Sequence, residues 1–195
     1  KYNIKITCSL ESEPMGTAGP IRLAKDLILN ENPSGLLFVF NSDVICHYPL
    51  DKMVEFHKSH GGEGTIMVTE VEDPTKYGVV VADASHKIER FVEKPSVFIS
   101  NKINAGLYLF NVSIIDRSEN RPTSIEREIF PKMASDGKIF QMVLPGYWMD
   151  IGQPKDYLSG QTLHLSSLKT LDPSQIATGA NITGNVMVDA TATID

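Results

Sequence analysis

Two carboxylates in this chain stand where a strand-like run has just ended. Asp43 follows the apolar run Leu36 to Phe40 in FVFNSDVICHYP, with Asn41 and Ser42 beside it. Asp150 closes the β-like run of GYWMDIGQPKDY and is followed at once by Gly152 and a proline-initiated helix pattern. In an open α/β sheet, ligands gather at the carboxyl ends of the strands. Two acids at such ends, distant in sequence, can share a Mg2+ ion, which takes a few carboxylates and completes its octahedron with water and phosphate oxygens. Each acid also has a plainer role open to it. Asp43 could be a turn carboxylate, although the next helix opens only at Pro49 or Leu50, too far on to need it as a cap. Asp150 could cap the helix beginning near Gln153, and spacing alone does not separate that role from metal binding.

Three further groups could bind a ligand. RFVEKPS sets Glu93 and Lys94 side by side in an extended stretch, where neighbours point to opposite faces. A lysine at the rim of a phosphate site supplies a compact positive charge, but taken alone Lys94 is ordinary surface. In INAGLYLF, Asn104 and Gly106 interrupt a strong strand pattern, which marks a bulge or a close backbone approach. An amide there can both donate to and accept from hydroxyl groups. EPMGTAGP has turn chemistry, and its Gly16 and Gly19 make backbone groups accessible to a planar base. No Walker A, GxGxxG, GxSxG or HExxH pattern occurs. His57 and His60, three apart near a helix end, read as solvated, and His47, His86 and His164 form no ligand pair.

The elements that must position these groups alternate between strand and helix patterns over about the first 160 residues, which points to an α/β layered fold. YNIKITCSL, GLLFVF, TIMVTEV, YGVVVAD, KIERFVEKP and INAGLYLF read as strands. IRLAKDLILN, PLDKMVEFHKSH, TSIEREIFPKMASDG and PKDYLSGQTLHLSSL read as helices, the third opened by Thr123 or Ser124 and ended by Gly137. Ile176, Ile182, Val188 and Ile194 then recur every six residues among small and polar ones, the period of a β-helix rung. The boundaries implied are a domain over residues 1–169 and a linker with first rungs over 170–195. The length of 195 residues, 42% hydrophobic and 22% charged, fits one globular domain plus an appendage. No apolar run approaches the roughly 20 residues of a membrane span. The net charge of −6 argues against a nucleic-acid partner. Cys8 and Cys46 lack zinc or CxxC spacing and read as reduced packing thiols of a cytoplasmic protein.

Taken in order, EPMGTAGP, FVFNSDVI, KYGVVV, RFVEKPS, NAGLYLF, PTSIEREIFP and WMDIGQPKDY resemble the sugar-phosphate nucleotidyltransferases over essentially the whole chain. The likeness is to the eukaryotic mannose-1-phosphate guanylyltransferases, or GDP-mannose pyrophosphorylases, of the catalytic β type. It implies a Rossmann-like nucleotidyltransferase domain with a mixed, mainly parallel central sheet, followed by the start of a left-handed β-helix. The activity implied is Mg2+-dependent transfer of GMP from GTP to mannose 1-phosphate, giving GDP-mannose and pyrophosphate. By the same resemblance Asp43 and Asp150 hold the metal and, with Lys94 on the sugar phosphate, form the catalytic set. Glu93, Asn104 and the backbone at Gly78 would bind the sugar, and Pro14, Gly16 and Thr17 would line the base pocket. The family's GGxGTRL signature, with its downstream lysine, does not occur in this sequence. The resemblance therefore implies an N-terminally truncated chain, inactive by itself. It further implies a homo-oligomer formed through the tail, with room for a regulatory α-type subunit. Three alternatives stand beside it. One is a non-catalytic subunit sensing GDP-mannose, which the joint presence of Asp43, Lys94 and Asp150 disfavours. Another is a sister enzyme making a different nucleotide sugar. The last is a glycosyltransferase, whose usual D-x-D is here Asn41-Ser42-Asp43.

Overall fold

A computed structural model describes residues 4–30, 32–179 and 181–193. The elements begin with α1 (Gly19–Leu23), α2 (Lys25–Asn30), β1 (Leu36–Phe40), β2 (Val44–Cys46), α3 (Leu50–His60), β3 (Gly64–Glu70) and β4 (Gly78–Ala82). They continue with β5 (Ile88–Glu93), β6 (Lys102–Asn111), α4 (Phe130–Ser135), β7 (Ile139–Val143), β8 (Trp148–Asp150) and α5 (Pro154–Leu171). Two units are formed, one from Lys1–Phe40 and Leu50–Leu144, the other from Asn41–Pro49 and Pro145–Asp195.

The first unit is built on a sheet of order β5-β4-β6-β3-β7, with β1 also paired to β6. The sheet is mixed, as expected, but it is not mainly parallel. Among the described residues only β3 with β7 is a parallel pair, whereas β6 runs antiparallel to β1, β3 and β4, and β4 to β5. The physical reason lies in the connections. β4 and β5 are joined by a short link, which can join only antiparallel neighbours, and β6 then runs back along the other edge of β4. β1 and β3 share one direction, with α3 between them in the chain, but β6 is inserted between the two in the sheet. Ile66 and Val68 of β3, Val80 of β4, Ile88 and Phe91 of β5, and Tyr108 and Phe110 of β6 bury one face against Ile129, Phe130 and Met133. Phe130 meets Phe91 edge-on at 5.0 Å between ring centres. Ser124 caps the turn before α4 by accepting from the Arg127 N–H, and Gly137 follows the helix with φ of 65°. Both ends match the expected helix, although its first turn, Ile125–Ile129, is wound as a π-helix.

The second unit pairs β2 with β8 antiparallel, so that Val44 faces Asp150. Helix α5 packs on this ribbon at Gly160, where a Cβ would lie 2.6 Å from Ile151 Cγ2. Pro154 occupies its first turn, as predicted.

Several expectations from sequence need correcting. YNIKITCSL is no strand over its described residues 4–10. Ile4, Ile6 and Leu10 are 71%, 83% and 91% exposed, because an alternating pattern becomes a strand only beside an edge that pairs with it. Cys8 is exposed with them, while Cys46 is buried and its thiol is pushed up to about 11 by that burial. The helix expected over IRLAKDLILN is interrupted at Ala24. The β-helix rungs expected of the tail are not shown rather than overturned: Ile176 and Ile182 are half-buried, Val188 is exposed, and the described residues of 172–193 hold a 3-10 turn at Pro173–Gln175, further turns and no strand, with Ile194 outside them. Among the described residues, no helix is long and apolar enough to cross a membrane.

Candidate active site

The short β2–β8 ribbon brings Asp43 and Asp150 together. The Asp43 carbonyl accepts the Ile151 N–H at 2.8 Å, which extends the ladder by one step and fixes Asp43 beside the strand end. Asp150 Oδ1 accepts the Gly152 N–H at 2.9 Å. The two carboxylates converge over Gly152: Asp150 Oδ1 and Asp43 Oδ2 each lie 3.1 Å from the point a Cβ on Gly152 would occupy. The oxygens are therefore no further apart than twice that distance, with only a glycine beneath them. Asp150 does not serve as the cap that sequence left open, and Asp43 is no cap either. The residue at the N-terminus of α5 is Gln153, without a side-chain capping bond, and α3 begins at Leu50, well beyond Asp43. Among the described residues no group of three or more His, Cys, Asp or Glu is assembled for a metal. Two carboxylates around a small open space suit a hard cation that takes its other ligands from water and phosphate.

The first unit gathers a second set. Gly78 pairs with Glu93 across β4 and β5, and a Cβ on Gly78 would lie 2.5 Å from Phe91 Cζ and 2.9 Å from Glu93 Oε2. The missing side chain at Gly78 is thus what lets the Glu93 carboxylate lie along the strand. Lys94 has φ of 49°, held by its N–H donating to the Tyr77 carbonyl at 3.0 Å. This left-handed residue ends the extended stretch, so Glu93 and Lys94 do not point to opposite faces; Lys94 Nζ lies 3.8 Å from Glu93 Oε1. Asn104 sits where the β3–β6 register slips between Ile66 and Val68, in the bulge that the Asn-Ala-Gly pattern indicated. Its Nδ2 donates to the Tyr108 hydroxyl at 2.7 Å and its Oδ1 accepts the Gly106 N–H at 3.0 Å, leaving one N–H and one lone pair for a ligand.

The loop over residues 14–17 is docked on the start of the π-helical turn. Ala18 N–H donates to the Thr123 carbonyl and Thr123 N–H to that of Met15, both at 2.9 Å. Gly16 has φ of 73°, and a Cβ there would lie 2.5 Å from the Thr123 carbonyl oxygen. The Thr17 hydroxyl donates to Glu126 Oε2 at 2.6 Å and accepts the Ile125 N–H at 2.8 Å. That hydroxyl is committed within the protein, so a base here would meet backbone groups around exposed Pro14 and Gly16.

Glu126, Tyr108 and Arg127 were missed by sequence reasoning. Burial pushes the Glu93 carboxyl up and the Glu126 charge adds to this, while Lys94 and Arg127 pull it down. Burial likewise pushes the Tyr108 phenol up, despite its bond to Asn104. Glu126 was legible only as a first-turn acid of a capped helix, because nothing local says which elements its side chain will meet.

The chain matches the family model described as nucleotidyl transferase over residues 1–167. It is 58% identical over its full length to a probable mannose-1-phosphate guanylyltransferase 1 of Oryza sativa subsp. japonica, of which it covers 54%. It is 57% identical over its full length to the mannose-1-phosphate guanylyltransferase catalytic subunit beta of Xenopus tropicalis, again covering 54%. The chain thus spans about half the length of the curated relatives it matches. Among solved structures it is similar to HddC from Yersinia pseudotuberculosis, with 30% identity and a TM-score of 0.62 over 77% of this chain and 63% of that one. HddC has also been solved in complex with GMP-PN. The glycine-floored carboxylate pair and the Glu93–Asn104 group lie on a chain that belongs to the nucleotidyl transferase family.

Proposed function

We propose that this chain supplies the sugar-phosphate site and the cation-holding carboxylates for transfer of GMP from GTP to mannose 1-phosphate. An oxygen of the sugar phosphate attacks the α-phosphorus of GTP. The bond from that phosphorus to the oxygen bridging toward the β-phosphate breaks, and pyrophosphate leaves with the electron pair, giving GDP-mannose. Such a transfer asks the protein for alignment and charge neutralisation rather than for a covalent intermediate. Glu93 accepts from mannose hydroxyls, and Asn104 offers its remaining donor and acceptor. Lys94 places a positive charge beside the sugar phosphate, while Pro14 and Gly16 present backbone to the base. Mg2+, held by Asp43 and Asp150, would offset negative charge on the phosphates when bound.

The observation that carries this proposal is the meeting of Asp43 and Asp150 over Gly152, in a chain more than half identical to proteins named as mannose-1-phosphate guanylyltransferases. Calorimetric titration of the chain with GDP-mannose and Mg2+ tests it. Saturable binding that requires the metal and is lost in Asp43→Asn and Asp150→Asn supports it. Binding of equal strength in those variants, or none in the unaltered chain, refutes it.

A further inference from the structure

Glu126 is a carboxylate that sequence assigned no task, and it reaches the candidate site through Thr17. Its Oε2 accepts from the Thr17 hydroxyl at 2.6 Å and from the Ser124 hydroxyl at 2.9 Å. A carboxylate taking two hydroxyl donors on one oxygen holds them in charge-assisted bonds, roughly twice as strong as neutral ones. Thr17 is tied in turn to the Ile125 N–H, and its loop is pinned to Thr123 on both sides. Glu126 therefore clamps the loop over residues 14–17 from the helix start. The turn Ile125–Ile129 that carries Glu126 packs against β5, which carries Glu93, so the Glu126 charge acts on Glu93 and on Tyr108, and Tyr108 holds Asn104 by a 2.7 Å hydrogen bond. The other charges at this cluster are Lys94 and Arg127, which oppose the effect of Glu126 on Glu93.

We infer that Glu126 is a positioning residue that couples the loop over residues 14–17 to the Glu93–Asn104 group, so that a sugar phosphate bound at that group depends on the Thr17 hydroxyl, far from Glu93 and Asn104 in the sequence. This rests on the assignment of Glu93 and Asn104 to the sugar. Glu126 acts in two ways. It fixes the Thr17 loop in place, and its negative charge keeps Glu93 a strong acceptor for ligand hydroxyls, the donors best able to relieve two neighbouring carboxylates.

The test is calorimetric titration of the chain with mannose 1-phosphate. Thr17→Val and Glu126→Gln are each expected to weaken binding about tenfold, the scale of one hydrogen bond to a charged group. The double variant should lose little more than Glu126→Gln alone, because Thr17→Val breaks a link that Glu126→Gln has already broken. Thr17→Ser, which keeps the hydroxyl, should bind like the unaltered chain. Carbon-13 NMR of the Glu93 carboxyl gives a readout that loss of packing alone would not move: its titration midpoint should fall in Glu126→Gln and stay in Thr17→Val. Unaltered binding in either single variant, additive losses in the double variant, or an unmoved Glu93 midpoint in Glu126→Gln overturns the inference while leaving the sugar assignment standing. Absence of binding by the unaltered chain overturns both.

Discussion

Acidification should loosen the turn between α3 and β3 through two histidines whose tautomers are dictated by their partners. The Gly62 N–H donates to His60 Nδ1 at 2.9 Å, so His60 carries its proton on Nε2 and donates it to Thr65 Oγ1 at 2.8 Å. The Thr65 hydroxyl then donates to His57 Nδ1 at 2.8 Å, and His57 Nε2 donates to Asn111 Oδ1 at 3.1 Å. Asn111 Nδ2 returns to the Gly62 carbonyl at 3.2 Å, closing a ring in which both imidazoles are neutral. A second proton on either would put a donor against a donor. His57 is only 3% exposed, and His60 stacks on Phe140 at 4.1 Å with Phe56 at its edge. Lys58 and Glu55 lie on the same helix, and Glu63, three residues beyond His60, is committed to Arg117 and Ser113. Burial, reinforced by His57, lowers His60 from 6.5 to about 4, and burial lowers His57 as well. Because the folded state prefers the neutral rings, their contribution is complete above 6.5 and is lost as pH falls toward about 4. The His60 shift corresponds to at most about 3 kcal/mol, and about 2 kcal/mol after allowing for its partial exposure. Urea unfolding across this window should show that loss in the unaltered chain and a shallower one in His60→Gln. The variant should start about 1–2 kcal/mol lower at neutral pH for the lost bonds. Amide exchange at Gly62 should accelerate in the same range. Parallel pH profiles for the two proteins, or a His60 ring titrating near 6.5 in NMR, would refute the reasoning.

Three further outcomes follow from close contacts. Gly152→Ala sets a methyl 3.1 Å from both carboxylate oxygens and should weaken divalent-ion binding about tenfold or more, read by Mn2+ titration in electron paramagnetic resonance. Gly78→Ala drives a Cβ to 2.5 Å from the Phe91 ring, and a chemical melt should show a cost of about 1–3 kcal/mol together with weaker mannose 1-phosphate binding. Gln141 is buried with no partner for its Oε1 among the described residues, so Gln141→Leu should leave stability unchanged or raise it by about 1 kcal/mol in the same melt.

Local chemistry alone determined a good deal of this protein. The apolar run of β1, the capped helix start at Ser124, the proline opening α5 and the bulge at Asn104 each follow from a few adjacent residues, and all are present. The order of seven segments was enough to indicate the family. What a run of residues does not contain is its neighbour across space. LLFVF and TIMVTEV read as strands, and they do share a direction, yet β6 was free to enter between them because hydrogen-bond pairing is settled between strands, not within one. YNIKITCSL had the alternation and lacked the edge. His57 and His60 read as solvated at a helix end, until Thr65 and Asn111 arrived from strands β3 and β6 to bury and bind them. Asp43 and Asp150 were each suspect on their own, but only the register of a three-residue ribbon could set both carboxylates over one glycine. Glu126 needed the whole fold, since its importance lies in a contact with Thr17, more than a hundred positions away.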